Sequence, residues 1–179
     1  MQIRQIDNSS TEYAACAAIS QPVQPEKVLT EGILRDHDKE MMTDNHFVRV
    51  IGDVDGQIVA HGSYWKSAAD PDDTPQFNYH VRADLQDGPI SARMQAYLIE
   101  QATALATSEI ASEPLDSEQY RMRLLEADGF QLAMRFLRSD LDVEAVDYSA
   151  HHRLIGDLAQ SGIKLCTLVE VMQQDPEWR

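Results

Sequence analysis

Apolar and polar residues alternate in some stretches of this chain and cluster at helical spacing in others. Ile3-Arg4-Gln5-Ile6 alternates and predicts a short strand, followed by the turn and cap residues Asp7, Asn8, Ser9 and Ser10. An Ala-rich segment over 11–19 carries Tyr13, Ala14, Ala17 and Ala18 near helical spacing, and Pro22 and Pro25 break it. A second helix is expected over 26–42, with Val28, Leu29, Ile33 and Leu34 on its apolar side. Two β-rich runs, 47–51 and 58–65, flank the turn dipeptide Asp55-Gly56 and predict a hairpin. A polar loop over 69–75 leads to a strand over 76–82. There Phe77, Tyr79 and Val81 share one face, and Asn78, His80 and Arg82 share the other.

The second half continues with a long helix over 89–107, whose inner stripe is Ile90, Met94, Tyr97, Leu98 and Leu105. Pro89 suits its first turn, where a missing N–H costs nothing. Residues 108–111 form a short strand candidate. Asp116-Ser117-Glu118 opens the next helix, Tyr120, Leu124 and Leu125 face inward, and Gly129 ends it. Alternation over 130–141 predicts a strand. Beyond it come a helix over 148–161 ending at Gly162, a strand over 163–168 and a helix start over 169–174. The expected class is α/β: a mixed, mostly antiparallel central sheet flanked by helices. The expected organisation is one domain over 1–146 and a helix–strand appendage over 147–179.

Charge narrows the partners. The chain of 179 residues carries 15 Lys+Arg against 30 Asp+Glu, a net charge of −15. A nucleic-acid backbone would be repelled, and anionic lipid is disfavoured. No apolar run is long enough to span a membrane, and no secretory signal is read. Cys16 and Cys166 make no disulfide framework and no metal-ligand cluster, so a reduced, cytoplasmic setting without a metal is expected.

Three motifs carry a resemblance. Val54-Asp55-Gly56-Gln57-Ile58-Val59-Ala60-His61-Gly62 is similar to a "V-D-G-x-x-V-G-x-G" strand pair. Val81-Arg82-Ala83-Asp84-Leu85 runs into the long helix as a "V-x-P-x-Y-R-G-x-G-I-G" segment does, and Leu124 to Phe130 is similar to "L-Y-E-K-x-G-F". Together and in this order they resemble the GCN5-related N-acetyltransferase (GNAT) family over residues 3–143. The segments Gly162 to Leu168 and Asp175 to Arg179 resemble the join between the two domains of tandem relatives.

The resemblance implies an acetyl-CoA-dependent transfer of an acyl group to an amine. It implies a pyrophosphate cradle at the start of the long helix, where unpaired amides and the positive dipole end favour an anion. The residues expected to hold acetyl-CoA are Val81, Gln86, Gly88, Ile90, Ser91 and Ala92. Pro89 stands where the family has its central glycine and removes a donor, and Asp87 adds an anion. Leu125 stands where the family often has a tyrosine acid, and Tyr120 is read as a core or surface aromatic. His80 is the candidate general base, with Glu113 behind it, since Asn78 cannot act as one. The same departures favour a competing reading, a catalytically inactive scaffold, ligand-sensing or dimerisation module. The bare apolar strand expected over 163–168, with Trp178 beyond it, implies a homodimer.

Overall fold

The computed structural model describes residues 1–7, 9–25, 27–69, 73–106, 108–136, 147–164, 166–167 and 170. Contacts divide the chain into two units, Met1–Leu132 and Ala133–Arg179. The expected boundary after Val146 lies outside the described residues.

The first unit runs β1 (Gln2–Gln5), α1 (Ser10–Ser20), α2 (Glu31–Asp44), β2 (Asn45–Val54), β3 (Gln57–Ser67), β4 (Gln76–Val81), α3 (Pro89–Leu105), β5 (Ala111–Ser112) and α4 (Gln119–Ala127). A single 3-10 turn, Ala83–Leu85, precedes α3. The sheet order is β1-β2-β3-β4-β5. The first four strands are antiparallel, and β5 joins β4 in parallel. This is the mixed, mostly antiparallel α/β sheet expected from the sequence.

Local chemistry fixes the hairpin and the packing on it. Asp55 and Gly56 both have positive φ, 53° and 80°, so the two-residue turn between Val54 and Gln57 twists with its strands. At Gly62 a Cβ would lie 2.7 Å from Leu98 Cδ1 and 2.8 Å from the Asn78 carbonyl oxygen, so α3 seats directly on β3. One face of the sheet packs Val50, Ala60, Phe77, Tyr79 and Val81 against Met94, Leu98, Tyr120 and Leu125. The other packs Ile51 with Ile6, Tyr13 and Cys16. Burial pushes the Cys16 thiol up to about 12, which leaves it inert.

Four expectations are corrected. The second helix begins at Glu31, not at residue 26, because Thr30 caps it and accepts the Ile33 amide at 3.3 Å. The Gln21 side chain holds the preceding loop, bonding the Lys27 carbonyl at 2.7 Å and the Leu29 amide at 3.0 Å, and Val28 is exposed. Residues 130–136 form no strand, and 137–141 lie outside the described residues. Two-residue β5 offers little ladder to extend, and Phe130 turns inward to meet Phe77 edge-on at 5.8 Å. The strand candidate at 108–111 shifts to Ala111–Ser112.

In the second unit the expected helix is present as α5 (Ser149–Gln160). It exposes Leu154 and Ile155, and Tyr148 before it is exposed too. Ile163, Lys164, Cys166 and Thr167 are not in a strand, which is the fourth correction. Ile163 closes α5 by donating its amide to the Leu158 carbonyl at 2.9 Å. Thr167 and Glu170 form a capping box: the Glu170 carboxylate accepts the Thr167 amide at 2.7 Å, and Thr167 Oγ1 accepts the Glu170 amide at 3.3 Å. Leu165, Leu168 and the rest of the expected final helix lie outside the described residues. No helix among the described residues is long and apolar enough to cross a membrane.

Candidate functional site at the opening between strands β4 and β5

β4 and β5 share only two residue pairs, Gln76 with Ala111 and Phe77 with Ser112. Beyond Phe77 the strands part, and the side of β4 turned from β3 has no ladder partner among the described residues. Ladder bonds alternate along a strand, and Arg82 donates its amide to Val59 at 2.9 Å. The amides of Tyr79 and Val81 therefore point into the opening. The Tyr79 amide is met by the Asn78 side-chain oxygen at 2.8 Å. Facing the Val81 amide is the hydroxyl of Tyr120, buried and without a well-formed hydrogen bond. Burial and the Glu118 charge push this hydroxyl up to about 12. Tyr120 does sit in the core, with its ring edge-on to Tyr79, but its polar end reaches the opening. Leu125 is buried and apolar.

His80 lies on the opposite face of β4, nearly enclosed. Its Nδ1 is 3.3 Å from Oε1 of Glu118. Glu118, just before α4, also accepts from Arg121 Nη1 at 2.9 Å and from the Leu115 amide at 3.0 Å. Burial pushes the Glu118 carboxyl up, but His80 and the Arg121 charge outweigh it and hold it at about 2. Arg121 is fully buried, donates to Ser112 Oγ at 3.1 Å and stacks 4.8 Å over the Tyr79 ring. Glu113, the other candidate base, is exposed.

A buried polar chain continues across the sheet from His80. His61 pairs with His80 in the ladder, and the rings are 5.4 Å apart. His61 contacts Ser20 Oγ through Nε2 at 2.7 Å and Arg49 Nη1 through Nδ1 at 3.2 Å. Arg49 grips Asp38 with two 2.6 Å bonds, and Tyr13 donates its hydroxyl to the same carboxylate at 2.9 Å. Burial and the Arg49 charge hold the His61 pKa well below its usual range. The sequence carried a signal for this chain. Arg49 has the same parity as buried Phe47 and Ile51, and a charge on such a face needs a buried partner.

The start of α3 is the candidate phosphate cradle. Gly88 is the N-cap and no side chain caps the helix, so the Ile90 and Ser91 amides have no intrahelical partner. Ala92 follows them in the first turn and is exposed. Gln86 is turned inward and donates to the Val81 carbonyl at 3.1 Å, tying the loop to the opening. Ser91 is fully buried and its hydroxyl donates to the Gln86 carbonyl at 2.6 Å, so it braces the loop. Asp87 pairs with Arg123 and Arg82 with Asp84, while Arg93 lines a shallow hollow with Ile3, Tyr97 and Glu100. The cradle thus offers backbone amides with little unpaired positive charge, and these residues fit a phosphate group in part.

No protein-family profile matches the sequence, and no curated protein matches it. Solved structures do. A ribosomal-protein-alanine N-acetyltransferase from Brucella melitensis is 17% identical, with a TM-score of 0.61 over 73% of this chain and 85% of that one. An aminoglycoside antibiotic 6'-N-acetyltransferase from Acinetobacter baumannii is 15% identical, with a TM-score of 0.57 over 79% and 98%. A putative acetyltransferase from Salmonella typhimurium, solved with its cofactor acetyl-CoA, is 14% identical, with a TM-score of 0.62 over 74% and 80%. With its five-stranded mixed sheet parted between β4 and β5, the chain has the fold of the GCN5-related N-acetyltransferases.

Proposed function

We propose that this chain transfers an acetyl group from acetyl-CoA to an amine, with its chemistry in the opening beside Val81. The observation that carries it is the Val81 amide, turned off the ladder toward the buried Tyr120 hydroxyl. Acetyl-CoA supplies an activated thioester. The Val81 N–H donates to its carbonyl oxygen, where negative charge develops, from a fixed position that needs no reorganisation. His80 takes the proton of the acceptor ammonium, and Tyr120 gives a proton to the departing sulfur. Gln86, Gly88, Ile90, Ser91 and Ala92 hold the phosphates: Gly88 by close approach, Ile90 and Ser91 through amides, and Gln86 and the Ser91 hydroxyl by shaping the loop.

One observation favours a second role, ligand sensing without turnover. Asp87 with its partner Arg123, and Pro89 in place of a donor, leave the cradle weak. An assay of thiol release from acetyl-CoA over a panel of small primary amines separates the two. Turnover well below an ordinary value of about 10 per second supports transfer through a weakened site. Binding with no thiol release on any amine supports sensing.

Exposed Tyr148, Leu154, Ile155 and Ile163 support a homodimer built through the C-terminal segment. A cytoplasmic setting accords with the free Cys16 and Cys166 thiols.

A further inference from the structure

The Glu118 carboxylate is held by more donors than its charge alone requires. Arg121 Nη1 reaches both oxygens, at 3.1 and 2.9 Å, and the Leu115 amide takes Oε2 at 3.0 Å. Arg121 is in turn fixed by Ser112 and by the Tyr79 ring. The carboxylate therefore cannot swing away from His80 Nδ1, which lies 3.3 Å off, sealed from solvent and without a well-formed hydrogen bond, so that the carboxylate acts on it through its charge. A ring nitrogen presenting a lone pair to a carboxylate is repelled, so Nδ1 carries the ring proton. The lone pair is then on Nε2, which makes no hydrogen bond to any described residue.

His61 has the opposite tautomer. Its Nδ1 faces the Arg49 guanidinium, which only donates, so its proton is on Nε2 toward Ser20. The Arg49 charge also opposes a second proton there. Two adjacent histidines are thus set in different tautomers by different neighbours.

We propose that Glu118 is a positioning residue which fixes His80 in the Nδ1–H tautomer, so that Nε2 is the basic atom offered to the acceptor amine. The assignment rests on the acetyl transfer proposed above. In that step a proton passes from the acceptor ammonium to His80 Nε2, and the freed nitrogen pair forms the N–C bond. The C–S bond breaks, the sulfur takes the Tyr120 proton, and the second proton of the acceptor nitrogen returns to the Tyr120 oxygen, which leaves a neutral amide and a free thiol. Arg121 acts one step further back, by holding Glu118.

The test is nitrogen-15 NMR of the histidine rings in the intact chain, which needs no activity. In the unsubstituted protein, at a pH where the ring is neutral, His80 shows a protonated Nδ1 and a bare Nε2. In Glu118→Gln the amide carbonyl stays on Arg121 and its NH2 turns to His80, so the ring goes over to Nε2–H. Glu118→Asp keeps the original tautomer. With acetyl-CoA and an amine, kcat falls about a hundredfold in Glu118→Gln while the KM for acetyl-CoA is unchanged. An Nε2–H ring in the unsubstituted protein overturns the proposal, whatever the activity. A tautomer that flips with kcat unchanged overturns the link to transfer. A chain with the expected tautomer and no transfer on any amine counts against the function proposed above, and leaves the role of Glu118 in setting the ring established.

Discussion

Arg49 and Asp38 are locked together by two parallel 2.6 Å hydrogen bonds beneath the sheet, joining β2 to α2. Both side chains are almost fully buried, so each is the other's counter-charge. Burial opposes the charge on each, but the shared hydrogen bonds hold the Asp38 carboxyl below its usual range and Arg49 above it. Arg49→Met strands a buried carboxylate and is expected to cost about 3–5 kcal/mol of stability. Asp38→Leu with Arg49→Met is expected to recover most of that loss. Urea unfolding followed by circular dichroism checks both. A single substitution within about 0.5 kcal/mol of the parent would show that the pair is not the tie between these elements.

Stability is expected to fall on acidification in two stages. The His61 pKa in the folded protein lies well below 6.5, so below that pH the unfolded chain takes up a proton that the native one refuses. Stability is therefore lost as pH falls from 6.5, by at most about 1.4 kcal/mol per pH unit for this one group. The groups facing the ring are Arg49, His80, Ser20 and the Cys16 backbone. Glu118, at about 2 when folded and 4.5 ordinarily, adds a further loss between those values. Urea midpoints across this range should give a shallower upper stage for His61→Gln, with the lower stage intact. An unchanged upper stage would assign it to another group.

Tyr120→Phe removes one oxygen from the opening beside Val81. That hydroxyl has no well-formed bond to lose, so the fold should be as stable as the parent or slightly more so. The rate of transfer is expected to drop about tenfold to a hundredfold, with acetyl-CoA binding unchanged. Equal rates for the two proteins would remove Tyr120 from the chemistry and leave it as a core aromatic.

The strands, their faces and the hairpin were legible because a sheet with two covered faces writes its parity into the chain. Phe77, Tyr79 and Val81 are all buried on one side, as their alternation implies. The long helix was legible from Met94 and Leu98 and from Pro89 at its first turn. Alternation alone misled over 130–136 and at Ile163, Lys164, Cys166 and Thr167, since a strand also needs a partner edge and none of these has a ladder among the described residues. In the site, His80 was visible as a candidate because β4 could be placed. Glu118 was not, because it is brought to His80 by the parting of β4 and β5, a tertiary event with no local pattern. Ser91 is expected from its position in a motif to help hold acetyl-CoA, and the folded loop uses its hydroxyl internally.

The intact chain is expected to be a dimer by light scattering. A chain ending at Ser161 should be monomeric or should aggregate. Ile163 and the residues after it leave with that truncation, while the exposed face of α5 remains. A well-behaved dimer after truncation would show that Ile163 and the residues after it are not needed for the interface, and a monomeric intact chain would refute the dimer.

Isothermal titration of the intact chain with acetyl-CoA tests the central claim most directly. One site per chain is predicted, with micromolar or weaker affinity, because the Ile90 and Ser91 amides are uncapped while Pro89 supplies none. Pro89→Gly should tighten it, by restoring an amide at the first helical position. Absence of heat at millimolar ligand would contradict the account. So would binding that is indifferent to Pro89→Gly, since the phosphates would then lie somewhere other than the start of α3.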